Sequence, residues 1–211
     1  MSRILETSVR CAVCGQSSDH LTAVSRYVPD HGLDGKPAGF DPGLAVTECP
    51  HCHYMAADLE RPVDDAVRAY VHSADFTRWY AAQTDPMLRQ LEGAALLAAR
   101  TDTARAARWH LLAAWYCEDK AMPDDADRNR RQYLEMTLAS GRKLTPDEML
   151  PYLDSLRRLG RFEEGLALAG QLQPAFARLY EEQDPHRAVL EAEQRFLTAR
   201  DAAPHMVSEV M

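Results

Sequence analysis

Cys11-Ala12-Val13-Cys14 and Cys49-Pro50-His51-Cys52 are two short stretches of one pattern. In each, two residues separate the thiols, so one tight turn aims both sulfurs at a common point. Two such turns facing each other build the tetrahedral sulfur cage that Zn²⁺ prefers, with metal–sulfur arms of about 2.3 Å. The spacing therefore predicts one structural Zn²⁺ held by Cys11, Cys14, Cys49 and Cys52, and a small β-rich module built around it.

Residues 15–48 separate the two pairs, a longer gap than the roughly 15–20 residues of a usual zinc ribbon. The extra length costs little. Doubling a loop adds about 0.6 kcal/mol of closure entropy, whereas a structural zinc contributes on the order of 10–16 kcal/mol. A set of three cysteines and one histidine is the competing ligand set, since His51 and His53 flank Cys52 and His20 and His31 lie between the pairs. Four soft thiolates at repeated spacing already complete a tetrahedron. They leave no open coordination position and weaken the ion as a Lewis acid, so the site reads as structural rather than catalytic.

Outward from the cysteines, residues 1–10 read as an edge strand or tail. His20–Val28 is rich in β-formers, and Gly43–Glu48 reads as a second strand that delivers Cys49. Residues 29–43, crowded with Pro, Gly and Asp, read as the loop between them. Composition then changes at Arg61. Glycine becomes sparse, and Ala, Leu, Arg and Glu dominate. The expected organisation is a zinc-binding β-rich module over 1–60, a helical repeat-like domain over 61–201 and a flexible tail over 202–211, an α+β fold that is mostly α.

Helix starts are explicit in the second part. Pro62 with Asp64 and Asp65, Asp85-Pro86, Thr101 or Asp102, Pro123, Thr145-Pro146 with Glu148, Phe162, Pro174 and Pro185 each open one. A break is expected near Ser73, and Gly141 and Gly160 mark stops. Apolar residues recur at helical spacing: Leu88, Leu91 and Ala95; Ala107, Leu111, Ala114 and Trp115; Leu134 and Leu138; Met149, Tyr152, Leu153, Leu156 and Leu159. Short connections make neighbouring helices antiparallel. Trp109, Trp115 and Tyr152 are the candidate residues of a partner-binding groove.

The stretch Leu156–Ala169 resembles the middle of a tetratricopeptide repeat, with Gly160, Phe162 and Gly165 at the turn, aromatic and small positions. Ala169 and Leu172 depart from the repeat, standing where an aromatic and a small residue are usual. The whole order is a CxxC pair, a Pro/Asp-rich middle, the run Cys49-Pro50-His51-Cys52-His53-Tyr54 and then Trp- and Arg-containing helices. It resembles an uncharacterised bacterial domain-of-unknown-function family with a CxxC…CPxCxY zinc motif followed by tetratricopeptide-like helices. His53 stands where that family has glycine. The resemblance implies a zinc site and a repeat-like helical body, and no particular reaction.

Charge and motifs narrow the function classes. The chain has 211 residues, 46% of them hydrophobic, and a net charge of −8. Its first sixty residues hold four basic groups against eight acidic ones. An acidic metal module is poorly suited to phosphate backbones, so nucleic acid is not the expected partner. No apolar run suggests a signal peptide or membrane span, and paired cysteines in a reducing compartment hold metal more often than disulfides, so the expected location is cytoplasmic. HExxH, GxSxG, a Gly-rich phosphate loop and a dinucleotide fingerprint are all missing from the sequence. Asp124, Asp125 and Asp127 read as a solvated helix start, and Cys117 as a small buried hydrophobe. The leading expectation is a zinc-bearing module that binds a protein or peptide segment. A zinc-dependent enzyme and a thiol-based redox or metal sensor are the alternatives.

Overall fold

A computed structural model of the chain describes residues 3–25 and 27–211. It is mostly helical, with a small antiparallel β part at the N-terminus followed by eight helices. Among the described residues no helix is long and apolar enough to cross a membrane. Contacts divide the chain into two units, Met1–Tyr27 with Asp41–Gly141 and Val28–Phe40 with Arg142–Met211.

In the first unit, β1 (Arg3–Arg10) pairs antiparallel with β2 (Ser17–Ser25), with Arg10 opposite Ser17. The first cysteine pair is the turn of this hairpin. β3 (Thr47–Glu48) and β4 (Met55–Ala56) form a second, minimal hairpin, and the second cysteine pair is its turn. The strand expected over His20–Val28 thus starts and ends earlier; Arg26 lies outside the described residues. The strand expected over Gly43–Glu48 shrinks to two residues. The Asp41 carboxylate accepts the Gly43 N–H at 3.0 Å and Pro42 opens a 3₁₀ turn over Pro42–Leu44, so side-chain capping there wins over β-propensity. Ile4, Leu5 and Leu21 of the long hairpin are exposed.

Five helices complete this unit. α1 (Asp65–Val71) and α2 (Ala74–Ala82) are parted at Ser73, whose hydroxyl accepts the Phe76 N–H at 3.2 Å and caps α2. α3 (Pro86–Ala98) and α4 (Thr103–Asp119) start at the side-chain caps Asp85 and Asp102. α5 (Pro123–Ala139) runs to Gly141, which takes φ +62°. α4 packs against both α3 and α5. Leu134 is buried, but Leu138 is 69% exposed, and Thr137 takes the inward position in the last turn instead. Gly93 of α3 is where the β module meets the helices. A Cβ there would lie 2.2 Å from the Met55 sulfur and 3.0 Å from the Trp79 ring.

In the second unit, α6 (Pro146–Arg158) begins with a complete capping box between Thr145 and Glu148. Gly160 at φ +70° turns the chain into α7 (Phe162–Leu179), and α8 (Pro185–Ala199) follows. Pro174 does not open a new helix; α7 runs through it. Ala169, Leu172 and Phe176 on either side of the proline are buried in one cluster, so core packing holds the helix across the missing N–H. Gly165 faces α8, where a Cβ would meet Leu197 at 2.5 Å.

The terminal residues are not loose. The Leu33 N–H donates to the His205 carbonyl at 3.1 Å and the Val207 N–H to the His31 carbonyl at 2.8 Å. Leu33, Val207 and Val210 join the core of α6, α7 and α8. Buried Arg157 donates from Nη1 to the carbonyls of Asp201 and Ala203 at 2.9 and 2.7 Å. Residues 28–40 and 201–211 satisfy one another's backbone groups, which is why neither hangs free.

Candidate metal centre

The two cysteine turns are built alike. The Cys11 N–H donates to the Gln16 carbonyl at 2.9 Å and the Gly15 N–H to the Cys11 carbonyl at 2.8 Å. The second turn repeats the pattern: Cys49 N–H to the Tyr54 carbonyl at 2.8 Å, and His53 N–H to the Cys49 carbonyl at 2.9 Å. Each turn closes with a residue in left-handed backbone, Gly15 at φ +74° and His53 at φ +62°. His53 therefore makes the turn that a glycine would make.

Facing each other, the turns bring all four sulfurs within 4.8 Å. Cys11 Sγ lies 3.7 Å from Cys52 Sγ, and Cys14 Sγ 3.7 Å from Cys49 Sγ. A disulfide needs about 2.05 Å, so these are free thiols. A tetrahedron with arms of about 2.3 Å has edges of about 3.8 Å, close to the 3.7 Å of the two facing pairs. Cys11 and Cys49 are buried, while Cys14 and Cys52 are half-buried. Burial pushes the Cys11 thiol up and the Cys52 thiol far up, and the nearby Cys11 charge adds to the latter. Burial acts the same way on Cys14, but hydrogen bonds from the Gln16 backbone and the neighbouring thiols outweigh it and bring that thiol down. Four contiguous thiols cannot all ionise in this environment on their own. A divalent cation at their centre removes that conflict, so the residues fit a metal ion.

Polar groups from distant helices steady the cage. Arg68 of α1 donates to the Val13 carbonyl at 2.7 Å, and the Ala12 N–H donates to the Leu59 carbonyl at 2.8 Å. His53 Nδ1 lies 2.8 Å from Glu48 Oε1, and its ring stacks on Tyr80 at 4.0 Å between centroids. The Tyr80 hydroxyl donates to the same Glu48 oxygen at 2.7 Å, and the Arg89 guanidinium lies 4.2 Å from the Tyr80 ring centre. Glu48, Arg68, Tyr80 and Arg89 are the residues that sequence reading missed. No spacing signal marks them, because Tyr80 reaches Glu48 across 32 positions.

The histidines fall outside the cage. His20 Nε2 lies 2.7 Å from the Ser18 hydroxyl, His51 Nε2 lies 3.3 Å from the Ser17 carbonyl, and His31 belongs to the second unit. Among the described residues the only metal-competent cluster is the four-cysteine one. The candidate groove residues do not share a unit. Trp115 is buried in the first unit beneath the Arg108 guanidinium, 4.9 Å from its ring centre. Trp109, in the same unit, lines a cleft, while Tyr152 is half-buried in the second. Cys117 is fully buried, and burial pushes its thiol up to about 12. Asp125 and Asp127 pair with Arg128 and Arg131 in their own helix.

Compared with protein-family models, with curated proteins and with solved structures, the chain matches none.

Proposed function

We propose that this chain is a zinc-bearing interaction module, in which one structural Zn²⁺ held by Cys11, Cys14, Cys49 and Cys52 fixes a two-hairpin head and the helices bind a protein or peptide segment. The observation that carries the metal assignment is the 3.7 Å sulfur spacing across two equivalent turns. Thiolates select zinc over the hard, oxygen-seeking cations, and a closed tetrahedron has no position for substrate. The helices support the second half of the reading. Neighbouring helices pack on one another, and their solvent sides carry exposed leucines such as Leu138, Leu166 and Leu179.

Elemental analysis of the purified full chain tests the first half. One zinc per chain, with four thiols protected from alkylation until a chelator is added, is the expected result. For the second half, a captured protein is reduced to a synthetic segment and its affinity measured directly. Failure of every captured candidate to bind as a segment, alongside turnover of a small molecule, removes the module reading.

A further inference from the structure

The hairpin of β1 and β2 is a sheet of two strands, so β1 has one edge with no strand beside it. The base of the hairpin fixes which backbone groups lie on that edge. The Cys11 N–H points inward, to the Gln16 carbonyl at 2.9 Å, and the pairing runs on without a slip from Arg10 opposite Ser17 to Ile4 opposite Ala23. In an antiparallel pair, residues that bond the partner strand alternate with residues that turn both backbone groups away from it. Val9, Thr7 and Leu5 therefore bond β2, while Arg10, Ser8, Glu6 and Ile4 face outward. Two contacts at the base agree. The outward Arg10 N–H donates to the Glu60 carboxylate at 3.1 Å, and the outward Ala12 N–H to the Leu59 carbonyl at 2.8 Å. This cover ends at Arg10. Among the described residues nothing meets the outward backbone groups of Ile4, Glu6 and Ser8. An open edge of this kind is a template for another strand, and proteins ordinarily shield it. Here the side chains around it add apolar surface instead, since Ile4, Leu5 and Leu21 are exposed.

The strand that fits this edge is β1 itself. Laid antiparallel on a second copy, with a two-fold axis at Thr7, the outward groups of Glu6 and Ser8 exchange hydrogen bonds with those of Ser8 and Glu6 in the second copy. Leu5 then faces Val9 of the second copy on one side of the sheet. On the other, Glu6 lies diagonal to Arg10 of the second copy, unlike charges at a spacing that long side chains bridge. The neighbouring registers are worse. An axis at Glu6 sets two carboxylates opposite each other, and an axis at Ser8 needs the Arg10 N–H that Glu60 already holds. An axis at Leu5 leaves Ser8 unpaired and puts Ile4 against Glu6. We infer that this chain self-associates through the open edge of β1, as a two-fold dimer whose hairpins join into one four-stranded antiparallel sheet. The pairing covers residues 5–9 of each copy, against roughly 20–30 residues a side in a standard interface, so the dimer is weak, with a dissociation constant on the order of 100 µM. It brings two metal heads together and is independent of what the helices bind.

The test uses the full zinc-loaded chain from about 1 µM to about 1 mM. Sedimentation is expected to show a monomer–dimer equilibrium, with the Glu6 and Ser8 amide cross-peaks in ¹H–¹⁵N spectra moving with concentration. Ser8→Pro removes an outward N–H that the hairpin itself does not use, and proline is tolerated at such edge positions. It is expected to weaken the dimer at least tenfold. Thr7→Cys sets two thiols opposite each other at the axis, at a Cα spacing of about 4.5 Å that a disulfide spans. With oxidised glutathione it is expected to cross-link at least tenfold faster than Leu5→Cys, which faces Val9 of the second copy. Zinc is measured in every sample. Should Ser8→Pro lose its metal, the two cysteine variants decide. A chain that stays monomeric at 1 mM overturns the inference, as does a dimer that zinc-loaded Ser8→Pro leaves intact, or equal cross-linking of the two cysteine variants. Glu6 and Ser8 amides that respond only to a captured protein segment would give the edge to that segment and overturn it too, while leaving the interaction module standing.

Discussion

Gly15 and His53 occupy the same place in two unrelated stretches of sequence, one residue beyond the second cysteine, and both adopt left-handed backbone, φ +74° and +62°. The first does so without cost. The second is held there by Glu48 on its Nδ1 and by Tyr80 against its ring.

This pairing sets the effects of three substitutions. A Cβ on Gly15 would meet nothing nearer than Arg10 Nη2 at 3.8 Å, so Gly15→Ala pays only the backbone penalty of about 1–2 kcal/mol. His53→Ala keeps the strained backbone and loses the stack and the bond to Glu48, a loss of about 1–2 kcal/mol. His53→Gly loses the same contacts but relieves the backbone, and is expected to be more stable than His53→Ala by about 1 kcal/mol. Chemical denaturation of the zinc-loaded variants measures the order, which reversal of the two His53 variants would refute.

Metal removal acts locally. Chelation, or Cys49→Ser, takes away the ion that joins the two hairpins. Amide protection is expected to vanish at Ala12, Cys49 and His53, whose hydrogen bonds close the turns. Helical circular dichroism stays nearly unchanged, since the eight helices lie outside the cage. Hydrogen exchange resolved by residue checks this; uniform loss of protection through α3 to α5 would contradict it.

Gly93 predicts a coupling between module and helix. Gly93→Ala forces its methyl against Met55 and Trp79, and overpacking of this kind costs about 1–3 kcal/mol. Met55→Ala makes a cavity of its own, yet clears room for the new methyl. The double variant is therefore expected to be more stable than the sum of the two single effects allows, by at least about 0.5 kcal/mol. Strict additivity in a double-mutant cycle would show that the two do not touch.

The buried triad of the second unit predicts a pH dependence. Arg157 bonds Glu193 Oε2 at 2.8 Å and Asp154 Oδ1 at 2.5 Å, and all three are buried. Among the described residues Glu193 Oε1 has no hydrogen-bond partner. One guanidinium does not balance two carboxylates, and burial, then the Asp154 charge, hold the Glu193 carboxyl well above its ordinary 4.5. A group whose folded pKa is raised lends stability that is complete below its ordinary pKa and is lost as pH rises through the folded value. The second unit is thus expected to weaken from mildly acidic toward alkaline pH, and Glu193→Gln to flatten that slope. Arg157→Met leaves two acids together and is expected to cost about 3–5 kcal/mol at neutral pH. Thermal melts across pH test both; a Glu193→Gln variant with an unchanged slope would exclude the mechanism.

Deleting residues 203–211 removes Val207 and Val210 from the core and one carbonyl from Arg157. Two buried aliphatic contacts and one charged hydrogen bond make a loss of about 2–4 kcal/mol the expected outcome. Proteolysis of the truncated chain reads it as faster cleavage between α6 and α8. A truncated chain as resistant as the intact one would mean the segment packs without consequence.

Much of this was written locally. Asp85-Pro86, Thr145-Pro146-Asp147-Glu148 and Asp184-Pro185 announce helix starts because a side-chain cap and a proline need only their own few neighbours, and all three caps are present. Gly141 and Gly160 stop helices for the same reason. Pro174 misled because its effect on an isolated helix is opposed by Ala169, Leu172 and Phe176, whose burial depends on α8 and α6. Residues 29–43 do form the loop that their composition announces, apart from the short 3₁₀ turn Pro42–Leu44, but nothing in that composition says that Leu33 is buried beside Val207.

From its own letters the chain determined that two CxxC turns exist, that a β-rich start gives way to helices, and where most of those helices begin. Each of these rests on interactions between residues a few positions apart. Folding alone decided that the four sulfurs stand 3.7 Å apart in facing pairs, that His53 is propped by Tyr80, and that the last residues close onto residues 28–40. Those facts join groups dozens to nearly two hundred positions apart, and pairing at that range is set by which buried surfaces and unpaired polar groups can satisfy one another, a competition that no local pattern records.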